Sequence, residues 1–160
     1  MRKTLFLPSI ADVIFLSIFF IILFVFRLGE SSSTLLGDGD TGHHIRAGEV
    51  IIETGRVPQK DIFSFIEPPL DWVDHSWLSE VFMAFIHRFF GLTGIVIVFA
   101  VIIAATFRTL FVFLRQRSNA VIGVTCLTVL AAASSWLQWH ARPHVISLFL
   151  TMIWYIVLED

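Results

Sequence analysis

The sequence predicts an all-α polytopic membrane protein with about four transmembrane helices and a long external first loop. Of its 160 residues, 56% are hydrophobic and only 15% are charged, and the mean hydropathy is +0.82. No compact fold hides that much apolar surface from water, so we expect the bilayer to be the solvent. The polar and acidic residues concentrate between two apolar runs. This predicts one loop that carries a short helix and an interfacial amphipathic helix.

Charge and cysteine content limit which classes of binding partner and which thiol chemistry we expect. The formal net charge is −2, and the basic residues form no stripe that would follow a phosphate backbone. We therefore expect membrane lipids as partners and no nucleic acid. The single Cys126 lies in an apolar run and has no second cysteine to pair with, so we interpret its thiol as a small packed hydrophobe.

Residues 1–28 predict the first transmembrane helix. The basic pair Arg2 and Lys3 precedes an unbroken apolar run over residues 13–26. At about 1.5 Å of rise per residue, roughly 20 residues cross the ~30 Å hydrocarbon core. A cleaved signal peptide has a similar basic start, but no small-x-small cleavage site follows before Glu30. We interpret the segment as an uncleaved anchor.

Residues 29–91 predict an external acidic loop with two amphipathic helices. Asp40 is placed to cap a helix over residues 41–54, which Gly55 ends. Apolar positions recur at helical spacing over residues 76–90, which predicts an interfacial helix with its aromatic face toward lipid or packed on the transmembrane bundle. The opposite face of that helix carries Ser79, Glu80, Met83 and His87.

Residues 92–160 predict three further spans. The second covers roughly residues 92–114, the third is the uncharged run over 120–139, and the fourth is the apolar run over 145–158. Fourteen residues rise only about 21 Å as a helix, short of the ~30 Å core, although Pro143 is suited to begin the helix earlier. We expect an N-terminal part of a larger polytopic protein, with more spans beyond.

Basic residues predict the orientation. The basic N-terminus and, two crossings later, Arg115 and Arg117 lie on one side, which the positive-inside rule makes cytoplasmic. The loop over residues 29–91 and the turn at Arg142 then face outward. A bacterial inner membrane, with the loop in the periplasm, fits this arrangement, and an organelle lumen satisfies the same rule.

The chemistry-bearing residues of the loop begin at its first helix. The segment from Asp40 to Arg46 reads Asp-Thr-Gly-His-His-Ile-Arg. Helical spacing places Asp40, His43 and His44 on one face, since neighbours on a helix surface are three and four positions apart. A carboxylate and two imidazoles therefore meet at the helix start.

This pattern resembles the first external loop of the GT-C membrane glycosyltransferases. The segments Gly-Arg-Val-Pro at 55–58 and Asp-Ile-Phe-Ser at 61–64 follow it. It is closest to the D-x-x-x-H-x-R pattern of oligosaccharyltransferase catalytic subunits, and protein mannosyltransferases also place an acid just after their first span. Two features differ: Thr41 stands where mannosyltransferases carry a second acid, and the turn over 140–144 has no acidic pair.

The resemblance implies transfer of a sugar from a polyprenyl-phosphate-linked donor to a glycan, lipid or protein acceptor on the external face. Asp40 and His44 are then the catalytic candidates, with Asp40 as general base or as a ligand of Mg²⁺ or Mn²⁺. Asp38 is the candidate second metal ligand, although Asp-Gly pairs also form plain turns. The alternative for Asp40 is that it only caps its helix. The alternative for His43 and His44 is that they are solvated helix residues.

The resemblance also assigns candidates for the donor phosphate and the substrate. These are Arg142, Arg46, His43 and His75. Arg46 has five donors that suit a phosphate or an ion pair with a loop carboxylate, and we favour the ion pair. His75 and Asp74 precede the interfacial helix, where Asp74 is alternatively a cap. The alternative for Arg142 is that its side chain snorkels from a helix end, so that the charged group reaches the membrane interface.

The alternative is a non-enzymatic polytopic protein: a transporter subunit or scaffold whose acidic loop binds a partner or cations. Transport predicts ionisable groups deep inside the spans. Here Asp12, Arg108 and Arg142 all lie near span ends, which favours chemistry at the membrane surface.

Overall fold

The computed structural model describes residues 8–28 and 35–159, and its regular elements are all helical. They are α1 (Ile10–Leu28), α2 (Asp40–Thr54), α3 (Trp77–Arg117), α4 (Val121–Ser135), a 3-10 turn (Trp136–Gln138) and α5 (Pro143–Glu159). The predicted all-α class is confirmed for this part of the chain. Arg2 and Lys3, on which the predicted orientation partly depends, and the loop residues 29–34 lie outside it.

Among the described residues, two helices are long and apolar enough to cross a membrane. They are Trp77–Arg117, and Val121–Gln138 where α4 is counted with its 3-10 turn; the apolar helices Ile10–Phe24 and Pro143–Glu159 are shorter. The fourth apolar run does begin early, at Pro143, whose fixed φ and missing N–H suit the first helical position. By length and composition these two helices are candidate membrane spans, while a count of four crossings stays a prediction.

The long helix α3 changes direction at Gly91. This residue has φ 62° and ψ −162°, a conformation that side chains with a Cβ rarely adopt. Three positions later, a Cβ on Gly94 would lie 2.3 Å from Cβ of Phe90. Glycine is therefore required at both positions. The predicted interfacial helix and second span are the two arms of one helical segment, over residues 77–90 and 92–117.

The chain forms two compact units. One, here named the loop unit, is Asp38–Ile95 and contains α2 and the first arm of α3; the other, the span unit, comprises the described residues before Asp38 and after Ile95. The loop unit includes most of the segment for which an external acidic loop is predicted.

Within the span unit, α1 buries one face and pairs its acid. Ile14, Ile18 and Ile22 are buried at a spacing of four residues. Asp12 Oδ1 accepts hydrogen bonds of 3.2 Å from both Nε and Nη2 of Arg108. Both charged side chains are nearly half exposed, so the pair adds little stability. It gives each of these two charges an opposite partner.

Candidate functional site in the loop unit

Helix α2 begins one residue earlier than predicted. Its first residue is Asp40, and Gly39 occupies the cap position. The carboxylate of Asp38 accepts the backbone N–H of Asp40 at 3.1 Å, and the carbonyl of Asp38 accepts that of Thr41 at 3.3 Å. The prediction of Asp40 as the cap residue is wrong, because Asp38 satisfies these N–H groups instead. The predicted C-terminus is confirmed: Gly55 is left-handed, with φ 67°, and its N–H donates to Ile51 at 2.8 Å.

Helix α2 packs against the first arm of α3 at backbone distance. A Cβ on Gly48 would lie 2.0 Å from the carbonyl oxygen of Glu80 and 2.9 Å from Cβ of Ala84. Only glycine allows this approach. Because His44 lies one turn before Gly48, the crossing brings its imidazole beside the Glu80 side chain.

The central contact of the site joins His44 to Glu80. Nδ1 of His44 lies 2.7 Å from Oε1 of Glu80, which also accepts a 3.0 Å hydrogen bond from the hydroxyl of Ser76. The Glu80 side chain is 1% exposed and that of His44 is 17% exposed. A buried carboxylate without such partners would be strongly destabilising. Since an ionised carboxylate only accepts, Nδ1 carries the proton in this pair.

A second acid extends this contact. The carboxylate of Asp74 accepts the backbone N–H of Ser76 at 2.9 Å. This hydrogen bond closes a turn directly before α3, which begins at Trp77, and the interpretation of Asp74 as a cap of that helix stays a prediction. Burial, and then the neighbouring carboxyl of Glu80, raise the pKa of Asp74 above its ordinary value. Two carboxyls within hydrogen-bonding reach cannot both ionise freely, so Asp74 holds its proton to a higher pH than an isolated aspartate does.

His43 lies in an aromatic setting on the other side of His44. Its ring centroid lies 4.4 Å from that of Phe63 and 5.7 Å from that of Trp72. Asp61 holds the loop in place by accepting the backbone N–H groups of Phe63, at 2.8 Å, and Ser64, at 3.1 Å. The Phe63 hydrogen bond, then those from Ser64, lower the pKa of Asp61. Beside His43, an open cavity of about 440 Å³ is lined mainly by these residues.

These contacts bring three potential metal ligands together. One ligand atom each from His43, His44 and Glu80 lies within 4.8 Å of the others. Among the residues with assigned positions, this group does not include Asp40 or Asp38. The sequence predicted the meeting of the two histidines but missed Glu80. The available signal was an acid on the non-aromatic face of a helix that is otherwise aromatic and apolar.

The remaining predicted site residues are spread over both units. Arg46 makes the favoured ion pair, with Nη1 2.9 Å from Glu49 Oε2 and 3.5 Å from Glu53 Oε1. His75 is exposed in the loop unit before α3, and Arg142 is half-buried in the span unit, directly before α5. Phosphate binding by these three residues stays a prediction.

The predicted catalytic and metal residues Asp40 and Asp38 lie at the start of α2. Asp40 is exposed and Asp38 half-buried. Their predicted roles are not decided by this arrangement, which brings a different set of side chains together.

Comparison of the chain with protein-family models, with curated proteins and with solved structures finds no match. The resemblance to the GT-C glycosyltransferases therefore depends on the residues of the loop motif alone.

Proposed function

We propose that this protein is a membrane glycosyltransferase that moves a sugar from a polyprenyl-phosphate-linked donor to an acceptor on the external face of the membrane. The observation that carries the proposal is the contact of His44, the histidine of the D-x-x-x-H-x-R pattern, with the buried Glu80 at 2.7 Å. Buried ion pairs contribute little net stability, because desolvation offsets their attraction. Such pairs occur often at functional sites.

The reaction has three needs: activation of an acceptor hydroxyl or amide, stabilisation of an oxocarbenium-like sugar, and retention of the departing phosphate. In this proposal, Asp40 supplies the general base or helps to bind Mg²⁺ or Mn²⁺ with Asp38. His44 is the second reactive group, oriented by Glu80.

The aromatic side of the site suits substrate binding. The cavity beside His43 has the size of small-ligand sites and combines the rings of Phe63 and Trp72 with the carboxylates of Asp61 and Asp71. Apolar ring faces with a few fixed polar groups give a binding site both area and orientation. We assign this cavity to the sugar or the acceptor.

The phosphate candidates are Arg142, Arg46 and His75. Arg46 already pairs with two acids of its own helix, so a phosphate would have to compete with them. Arg142 also stays a candidate for the donor phosphate, since a guanidinium matches phosphate geometry with paired donors.

The proposed topology has four crossings in a bacterial inner membrane, with a cytoplasmic N-terminus and an external loop unit. It is supported by the two long apolar helices. It is also supported by the exposed aromatic face on the first arm of α3, where Phe82, Phe85 and Phe89 are 42%, 56% and 62% exposed. A contiguous apolar face of this kind suits contact with the lipid interface.

The test is sugar transfer by the full-length protein in membranes, with a radiolabelled sugar on a polyprenyl-phosphate donor. Asp40→Asn should lower transfer by roughly 10²-fold or more, the usual contribution of a general base. Glu67→Gln, which also replaces a carboxylate by its amide at an exposed loop position but outside the cavity beside His43, is the matched control and should retain most activity. Wild-type rates in the inserted Asp40→Asn protein, or no transfer by the wild type, would contradict the proposal.

A further inference from the structure

We propose that His43, His44 and Glu80 bind one divalent transition-metal ion of the Zn²⁺ or Co²⁺ class. The three ligand atoms lie within 4.8 Å of one another. Two imidazoles and a carboxylate are a frequent ligand set for such ions, whereas Mg²⁺ prefers oxygen ligands alone. This site is distinct from the Mg²⁺ or Mn²⁺ predicted at Asp38 and Asp40, and it does not depend on the transferase proposal.

The distances are close to those that coordination requires. Two ligands at about 2.1 Å from a tetrahedral ion lie about 3.4 Å apart. The widest pair in the cluster, at no more than 4.8 Å, must therefore close by up to about 1.4 Å, a movement that side-chain rotations supply. The closest pair, Nδ1 of His44 and Oε1 of Glu80 at 2.7 Å, must separate to admit the ion, and Nδ1 must release its proton to solvent or to the other ring nitrogen before it can bind the ion.

The buried carboxylate provides an independent reason for a cation. Oε1 of Glu80 accepts hydrogen bonds from His44 and Ser76, but within residues 8–28 and 35–159 Oε2 accepts none unless the facing Asp74 carboxyl carries a proton. The Glu80 side chain is only 1% exposed. A divalent ion beside it would compensate this charge directly, as metal coordination does for other buried carboxylates.

The scaffold holds these ligands from rigid elements. His44 and Glu80 are on two helices that meet at backbone distance at Gly48, and His43 is wedged against Phe63 and Trp72. Ligands on packed helices keep their geometry better than ligands on loops.

Three protein ligands leave room for a fourth. His44 is 17% exposed and His43 is half-buried, so water reaches this side of the cluster. Three ligands with an open position are typical of catalytic zinc sites, whereas structural sites are closed by four. An ion here could therefore polarise a water or a substrate oxygen.

The test uses the purified full chain with any polyhistidine tag removed, stripped with a chelator and titrated with Co²⁺. We expect one equivalent of Co²⁺ to give the visible absorption of a site with nitrogen and oxygen ligands, and Zn²⁺ to displace it. His44→Ala and Glu80→Gln should each weaken Co²⁺ binding by about 100-fold or more, since even changes to residues behind the ligands cost 10- to 100-fold.

Two control variants sharpen the result. His87→Ala removes an imidazole from the same arm of α3 but outside the cluster, where it faces Glu49, and should bind Co²⁺ as the wild type does. Asp40→Asn should also leave Co²⁺ binding unchanged. A loss in Asp40→Asn equal to that in His44→Ala would place the ion at the helix start and overturn the proposal.

If a variant fails to fold, Co²⁺ titration of the wild-type protein still tests the proposed metal site. Absence of stoichiometric Co²⁺ binding, or binding only at millimolar concentrations, overturns the proposal. In that event the three side chains lie together for structural reasons: the carboxyls of Glu80 and Asp74 share a proton, and His43 packs against aromatic rings. Stoichiometric binding without sugar transfer supports the metal site and removes the transferase proposal, whereas transfer by a metal-free protein does the reverse.

Discussion

Nδ1 of His44 and Oε1 of Glu80 lie 2.7 Å apart, although 36 positions separate the two residues along the chain. The contact joins the first turns of α2 to the first arm of α3, and one partner is almost fully buried. The same contact bears on both stability and chemistry. The imidazole and the carboxylate are candidate reactive groups, and the buried carboxylate also needs the imidazole as a hydrogen-bond partner.

Removing both partners of this pair should cost less than the sum of the two single removals. His44→Ala leaves the buried carboxylate of Glu80 without its imidazole and should lower the free energy of unfolding by about 2 to 4 kcal/mol, a little below fully buried pairs because His44 is partly exposed. The double variant with Glu80→Gln should lose less than the sum of the single variants. Denaturant unfolding followed by tryptophan fluorescence measures this. Additive losses would contradict direct coupling.

The glycine at the helix crossing should not tolerate a side chain. Gly48→Ala places a methyl group 2.0 Å from the carbonyl oxygen of Glu80, so α2 must move. We expect the free energy of unfolding to fall by about 3 kcal/mol, the upper end of the usual cost of overpacking. Gly42→Ala on the same helix is the matched control, because its Cβ would meet nothing within 4 Å. That change should stabilise α2 by up to about 1 kcal/mol. Equal effects at both positions would refute the close crossing.

The loop around Asp61 should weaken in acid. Hydrogen bonds from Phe63 and Ser64 lower the pKa of Asp61 in the folded protein. A lowered pKa contributes stability above the ordinary pKa of the group, and this stability is lost as the pH falls through the lowered value. Hydrogen exchange of the peptide over residues 61–66, corrected for intrinsic rates, should show this loss of protection. Asp61→Asn should lack the part of this pH dependence that comes from the carboxylate. Identical pH profiles of protection in the wild type and the variant would contradict the prediction.

The second arm of α3 should separate two sides of a membrane. In a Cys126→Ser background, a cysteine at Gln59 should react with an impermeant maleimide in intact cells, because it is exposed in the loop unit. A cysteine at Asn119, exposed between α3 and α4, should react only after permeabilisation. Labelling of both positions from the same side would show that this arm does not cross.

Local signals made much of the helical structure predictable. Gly55 ends α2 because only a residue tolerant of positive φ fits a left-handed cap, and Pro143 begins α5 because the first helical N–H needs no partner. The error at Asp40 has a local cause too. Asp38 and Asp40 are both suited to capping, and their spacing alone does not decide which side chain turns toward the helix.

The sequence by itself determined which segments are apolar enough to cross a membrane, the positions of the helices and the meeting of His43 with His44, because hydropathy, helix period and terminal glycines act over a few residues. Only the tertiary structure decided that Glu80 completes the cluster and that Gly48 is a contact site. A periodic pattern shows which face of a helix is polar, but not what that face meets. In the sequence Gly48 is an ordinary glycine within a helix; its requirement arises from a backbone 32 positions away, brought close by packing.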